Sequence, residues 1–325
     1  PQVWRRASGY NINYLLPWTP TAPPQWDNSL YPYPPVQPGK INLSHLVVGS
    51  EGTLAVIRKA KLRLVKKPTH TILVVLTFNS IAEACDQTTA LLEKHPTAVE
   101  LIPGEMLRLA RAIPAMAMQL GFVQGDPEAM LVVEFSGSDP QRIKQQALEI
   151  GGGLIAETNA EQTQVWNIRK MGLGILNSLP GDQKPLAFVE DVAVPVEKLG
   201  AFVRSMENIM GAHGIHANFY AHASAGCLHF RPIISTKGER DVQLMKTISQ
   251  EVFQLTLSLN GAVSGEHGDG IARSEYIEAN FGSDLYGLFK QVKQAADPEN
   301  ILNPGKKINP LPMDQNLRFG PWAGD

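Results

Sequence analysis

Five of the chain's eight histidines, His213, His216, His222, His229 and His267, fall within 55 residues, and two groups among them are spaced to do chemistry. In Tyr220-Ala-His222-Ala-Ser-Ala-Gly-Cys-Leu-His229-Phe-Arg231 the last two histidines stand seven apart, which on one straight strand would put them on opposite faces. A turn at Ser224-Ala225-Gly226 removes that conflict. On the strand after it Cys227, His229 and Arg231 share one face while Leu228 and Phe230 take the core face, so both imidazoles can converge. In Ser264-Gly265-Glu266-His267-Gly268-Asp269-Gly270, three glycines in six residues loosen the backbone enough for adjacent Glu266 and His267 to face one cavity. Two imidazoles and a carboxylate make the three-ligand set of an open divalent site whose fourth position takes water or substrate. His222, His229 and Glu266 are therefore the candidate ligands, and His267 is the candidate base near neutral pH.

Spacing alone leaves other readings open. The four residues can be hydrogen-bonded groups beside turns, kept only as structure in a non-catalytic binding module. They can also serve a metal-dependent hydrolase in which Glu266 or His267 activates a bound water. Trp166-Asn-Ile-Arg169-Lys170 offers a fork-shaped guanidinium for a carboxylate, although a lone helical arginine is most often a surface residue. The triple glycine at 151–153 opens no dinucleotide-binding turn, and there is no Walker motif.

The elements that must position these groups follow from the apolar pattern. Strand-like Ile72–Leu76 leads to a helix marked by Ile81, Ala84, Cys85, Thr88, Leu91 and Leu92, then to a strand at Ala98–Ile102. The order returns with Met130–Phe135, a helix from Pro140 and a strand at Leu154–Glu157. It returns again with Leu186–Val194, a helix carrying Val196 to Met210 and a strand at Ile215–Tyr220. Two more helices are expected, one through Met245, Ile248, Val252 and Leu255, one over Asp284–Ala296. Single apolar stripes on the helices imply an α+β arrangement of ferredoxin-like units, its sheet covered on one face and free on the other to roof a site. Ahead of these rounds, Leu46–Val48, Leu54–Ile57 and the alternating Ala60–Val65 read as strands. Residues 17–38, with eight prolines and four Trp or Tyr, read as an extended loop packed on a surface. The division expected is 1–68, 69–310 and a linker tail, 311–325.

At 325 residues, with 29 Lys and Arg against 31 Asp and Glu, the chain lacks the basic footprint of a nucleic-acid binder. Two cysteines, Cys85 and Cys227, are too few for a disulfide framework or a paired metal knuckle, which fits a reducing cytoplasmic setting. No apolar run has the length of a membrane span, and no signal peptide opens the chain. Its start at Pro1 instead of a methionine suggests a fragment.

Four stretches together, Gly49-Ser-Glu-Gly-Thr-Leu-Ala-Val-Ile57, His222 to Arg231, Gly265-Glu-His-Gly-Asp-Gly270 and Asn300-Ile-Leu-Asn-Pro-Gly-Lys306, resemble the FAD-linked oxidases of the vanillyl-alcohol oxidase type. The nearest members by this resemblance are the D-2-hydroxyacid dehydrogenases: D-lactate dehydrogenase, the glycolate oxidase flavin subunit and D-2-hydroxyglutarate dehydrogenase. The likeness spans about residues 5 to 308. It implies that residues 1–68 are the second part of a flavin domain and 69–310 a cap that holds substrate. It assigns Gly49, Ser50, Glu51, Gly52, Thr53, Ile57 and Asn303 to FAD, His222, His229 and Glu266 to a divalent metal, zinc by preference, Arg169 to the substrate carboxylate and His267 to proton abstraction. The reaction implied is oxidation of a D-2-hydroxy acid, with hydride passing from C2 to the flavin.

Two departures accompany the likeness. Many members have Asp-Gly-Asn between the two histidines, where this chain has Ser224-Ala225-Gly226-Cys227, so a thiol lies beside the expected metal. The N-terminal half of the flavin domain, with its glycine-rich pyrophosphate loop, is absent, so this chain alone is expected to be inactive. The tail resembles members that continue into an iron–sulfur region. The expected partners are thus a small 2-hydroxy acid, the missing FAD-binding portion, an iron–sulfur electron acceptor and a second copy in a homodimer, without nucleic acid or membrane span. A peripheral seat at the inner membrane face is compatible.

Overall fold

The computed structural model describes residues 3–15, 42–62, 64–177, 181–318 and 320–321; the proline-rich stretch 17–38 lies outside them. The chain forms two units, one from Pro1–Leu62, Phe188–Val194 and Thr236–Asp325, the other from Arg63–Ala187 and Pro195–Ser235.

The second unit is built on a sheet. Its elements are β1 (His70–Phe78), α1 (Ile81–Leu92), β2 (Ala98–Pro103), α2 (Gly104–Arg111), β3 (Ala129–Gly137), α3 (Pro140–Glu149), β4 (Leu154–Ala156), α4 (Asn159–Asn177), β5 (Lys184–Pro185), α5 (Leu199–Ala212), β6 (Ala217–His222) and β7 (Cys227–Ile234). The strands lie in the order β4-β1-β3-β2-β6-β7-β5, every pair antiparallel. The run β4-β1-β3-β2 has the strand order of a ferredoxin-like unit, the kind of unit expected from the sequence. Local chemistry starts the crossover helices: Ser80 accepts from the Glu83 N–H ahead of α1, and Asp139 accepts from Gln141 and Arg142, with Pro140 at the first helical position of α3.

Opposite residues of an antiparallel pair share a face. Val74, Val133, Val99, Leu101 and Leu131 therefore point one way, and right-handed crossovers place α1 and α3 on that side. Leu73, Val75, Val132, Met130 and Ile102 point the other way. The sequence suggested that this second face was free, but over β1–β3 it is closed. Met106, Leu107 and Ala110 of α2 with Val165 and Ile168 of α4 join those strand residues in one buried cluster. A helix at Gly104–Arg111 was not expected, because it springs directly from Pro103 without a polar capping residue.

The first unit is mainly helical, with α6 (Glu239–Ser258) and α7 (Ile277–Ala296), the latter broken at Gly282 by a φ of 81°. Tyr10, Leu54, Ile277, Tyr286, Phe289 and Ile308 form a core. Beyond Ile308, Met313 is buried and donates its N–H to Glu275, and Asp314 pairs with Lys246.

Four expectations for strands are corrected. Ser44–Val47 is a helical turn, because the Asn42 side chain accepts from the Ser44 N–H and hydroxyl and turns the chain. Leu186–Val194 yields only a two-residue strand at Val192–Ala193, bridged to Ala262, since Asp191 takes a left-handed φ of 71°. Neither Leu54–Ile57 nor the alternating Ala60–Val65 forms a strand among the described residues, and Val56, Ile57, Leu62, Leu64 and Val65 are exposed.

Candidate functional site

On the sheet unit, the predicted turn between the histidines is present. Ala223–Ala225 is a short 3-10 turn closed by Gly226 at a φ of 63°, and the Ser224 hydroxyl accepts from the Val99 N–H to fasten the turn to β2. Three register rows then cross the β6–β7 end of the second face: Glu100, His222 and Cys227; Tyr220 and His229; Asn218 and Arg231. The imidazoles of His222 and His229 meet edge to face at 5.1 Å, and His229 stacks on the Tyr220 ring at 4.8 Å.

Glu100 organises this end. Its Oε1 lies 2.7 Å from His222 Nδ1 and its Oε2 accepts from Arg169 Nε at 3.3 Å, all three side chains being largely buried. Holding Nδ1 leaves Nε2 of His222 as the atom that can serve a ligand, the usual arrangement when a carboxylate orients a metal-binding imidazole. The Arg169 guanidinium also lies 4.7 Å over the Tyr220 ring, with only its Nε edge spent on Glu100. This arginine on α4 is thus fixed at the site instead of lying loose on the surface. Sequence reasoning missed Glu100, although a lone carboxylate between Val99 and Leu101 in an apolar strand was a legible signal.

The other expected residues belong to the helical unit. Asp191, fully buried, accepts from the backbone N–H groups of Glu266 and His267 and from the Ser264 hydroxyl, so one carboxylate shapes the whole Ser264–His267 loop. His267 Nδ1 lies 3.1 Å from Glu190 Oε1. That hydrogen bond raises the His267 pKa above the ordinary histidine value, and the charges of Asp191, Glu190 and Glu266 act in the same direction against partial burial. Glu266 forms an ion pair with Arg5.

The Gly49–Thr53 segment is a run of turns with positive φ at Gly49, Glu51 and Gly52. A Cβ built at Gly52 would meet nothing within 4 Å, so the outer side of the loop is open. Glu51 faces inward: its carboxylate accepts from the Asp269 and Gly270 N–H groups at 2.7 and 2.8 Å. Asn303 donates from Nδ2 to the Glu51 carbonyl at 2.7 Å, which unites two of the expected flavin residues. Ser50 and Thr53 are buried, and Thr53 is hydrogen-bonded to Ser50 and Tyr10. Ile57 is exposed.

Lys307 ties these segments together. Its Nζ donates to the carbonyls of Ala7 and Gly9 and to Asp269, and lies 2.8 Å from Glu51. His222, His229 and Arg169 thus belong to one unit, and Glu266, His267 and the flavin-loop residues to the other. Within each unit the donor types suit the groups expected there: paired imidazoles with one nitrogen fixed for a divalent cation, and a turn-rich open loop for a phosphate- and ribityl-bearing cofactor.

A family model described as FAD linked oxidases, C-terminal domain, matches residues 67–307. The chain is 33% identical over 295 residues to the D-2-hydroxyglutarate dehydrogenase of Pseudomonas putida, covering 86% of this chain and 29% of that protein. It is 28% identical over 279 residues to the mitochondrial cytochrome-type D-lactate dehydrogenase of Arabidopsis thaliana, covering 83% of this chain and 48% of that protein. The chain therefore spans about a third to a half of the length of these curated relatives. Among solved structures, 4-ethylphenol oxidase from Gulosibacter chungangensis matches with a TM-score of 0.51 at 14% identity, over 76% of this chain and 55% of that one, a likeness of fold. Among the described residues no helix is long and apolar enough to cross a membrane.

Proposed function

The chain belongs to the FAD-linked oxidase family, whose C-terminal domain it carries, and on that premise we propose that it handles substrate in a flavoenzyme oxidising a D-2-hydroxy acid, of the D-lactate or D-2-hydroxyglutarate class, to the 2-oxo acid. The observation that carries this reading is the double grip of Glu100 on His222 and Arg169. It fixes an imidazole and a carboxylate-binding fork side by side, which suits an α-hydroxy acid: the imidazole serves a metal at the hydroxyl, and the fork takes the acid end.

Bound FAD would supply the hydride acceptor, and a divalent ion, zinc by this donor set, would supply Lewis acidity at the hydroxyl oxygen. His222, His229 and Glu266 are the residues assigned to hold the ion, and Gly49, Ser50, Glu51, Gly52, Thr53, Ile57 and Asn303 those assigned to the flavin. The amino edge of Arg169 takes the substrate carboxylate as a bidentate pair. His267 accepts the hydroxyl proton on Nε2, because Glu190 engages Nδ1 and so selects the tautomer. Glu190 then steadies the imidazolium, and the C2 hydrogen leaves as hydride.

We read residues 1–68 as the second part of the flavin domain and 69–310 as the substrate domain. They act with a pyrophosphate-binding portion supplied in a longer polypeptide or by a partner, with an iron–sulfur centre as electron acceptor and in a homodimer on the cytoplasmic side. The test is turnover by the complete gene product with D-lactate and D-2-hydroxyglutarate and an artificial electron acceptor, the L-enantiomers serving as controls. Rates above those controls that fall at least tenfold in His267→Gln support the reading. Equal rates for both enantiomers, or none with either acid in flavin-loaded protein, sink it.

A further inference from the structure

The face that carries His222 and His229 holds one side chain which nothing above explains. Asn218, on β6, is 1% exposed, and neither its Oδ1 nor its Nδ2 has a hydrogen-bond partner among the described residues. A buried carboxamide with no partner on either side is costly, and such groups are rare in folded proteins. Asn218 also stands directly across the strand pair from Arg231. Alternation along β6 and β7 puts both on the face of Tyr220, His222 and His229, while Phe219 and Phe230 pack against each other on the opposite face.

Resting on the reading that this face holds a 2-hydroxy acid, we infer that Asn218 and Arg231 form a second carboxylate-recognising pole, which selects a 2-hydroxy diacid over a monoacid. The rows order the chemistry along the face. Glu100 with Arg169 and His222 marks one end, Tyr220 and His229 come next, and Asn218 with Arg231 follows, roughly 6.6 Å further along the strands than Tyr220 and His229. A carboxylate attached directly to the reacting carbinol and held by Arg169 cannot also reach the far row. One carried two methylenes further out can. There the Asn218 amide donates to one carboxylate oxygen and the Arg231 fork offers planar donors for the pair. The carboxamide oxygen is left to accept from the guanidinium. D-lactate and glycolate have no group for this pole; D-2-hydroxyglutarate and, with a shorter reach, D-malate do.

The test is the ratio of kcat/KM for D-2-hydroxyglutarate over D-lactate in the flavin-loaded complete gene product. In Asn218→Ala the ratio is expected to fall roughly 10- to 100-fold, the range for losing a hydrogen bond to a charged group. Asn218→Asp, of nearly equal volume, sets a negative charge against the distal carboxylate and lowers the ratio at least as far. Should both variants fail to fold, the wild type decides: glutarate must compete with substrate more tightly than butyrate. An unchanged ratio in folded variants, or equal competition by glutarate and butyrate, overturns this inference and leaves the oxidation of 2-hydroxy acids standing. A wild type that turns over neither acid overturns both.

Discussion

Glu100 Oε1 lies 2.7 Å from His222 Nδ1, and the two residues occupy the same register row of neighbouring strands. The carboxylate is thus set by sheet geometry and not by a loop. Glu100→Gln keeps the shape but removes the charge that orients the imidazole and anchors Arg169. Loss of such an outer partner typically costs 10- to 100-fold in metal affinity. Zinc or manganese titration of the chain is expected to show a loss of that size in Glu100→Gln and a smaller one in Arg169→Lys. Equal affinity in wild type and Glu100→Gln would rule out the orienting role.

His267 carries a pH prediction. Its pKa is raised in the folded chain by the Glu190 hydrogen bond, so folding favours the imidazolium. The interaction therefore adds stability fully below the unfolded value of about 6.5, and that addition is lost as pH rises through the higher folded value. In chelator-treated protein, imidazole resonances followed by NMR should give His267 a midpoint above 6.5, and Glu190→Gln should move it down. A midpoint that ignores that substitution contradicts the assignment of Glu190 as the group fixing the ring.

Much of the scaffold was legible because its signals are local. Apolar spacing marked Ile72–Leu76 and the helix from Ile81, and Gly226 announced the turn between the histidines. The residues that hold the site were not legible in the same way. Glu100 was absorbed into a strand, and Asp191 into another, because the pattern of apolar neighbours says nothing of what a buried carboxylate touches. Their partners lie 122 residues away at His222 and 75 at Glu266, distances that only the folded chain closes. The helix after Pro103 was missed for a different reason, since the cue that normally marks a helix start is a capping side chain and here there is none.

Lys307 should be among the costliest residues to replace. Its side chain is 1% exposed and its ammonium binds two carbonyls and Asp269, so Lys307→Met leaves a buried carboxylate and two carbonyls without their donor. Removing one partner of a buried pair costs about 3–5 kcal/mol. Urea unfolding should show a loss of this order, with Asp269→Asn milder because the amide still accepts. A change under about 1 kcal/mol would mean that the network is not structural.

Cys85 is fully buried, and burial pushes its thiol pKa up to about 12. The thiolate is the reactive form, so a native protein should leave this group unmodified by a disulfide reagent at pH 8. Cys227 is equally inaccessible. Both thiols should react only after denaturant is added. Fast native labelling of Cys85 would contradict its place on the buried face of α1.

The ribbon that follows the Gly49–Thr53 loop has a practical outcome. Val56, Ile57, Leu62, Leu64 and Val65 are 66% to 86% exposed, interleaved with Lys59 and Lys61 on backbone that joins no ladder. An oily strip of that kind is adhesive, and it captures any sheet margin that comes near, including another molecule's. Purified chain should therefore clump at high concentration, and replacing Leu62 and Leu64 with Ser should relieve it.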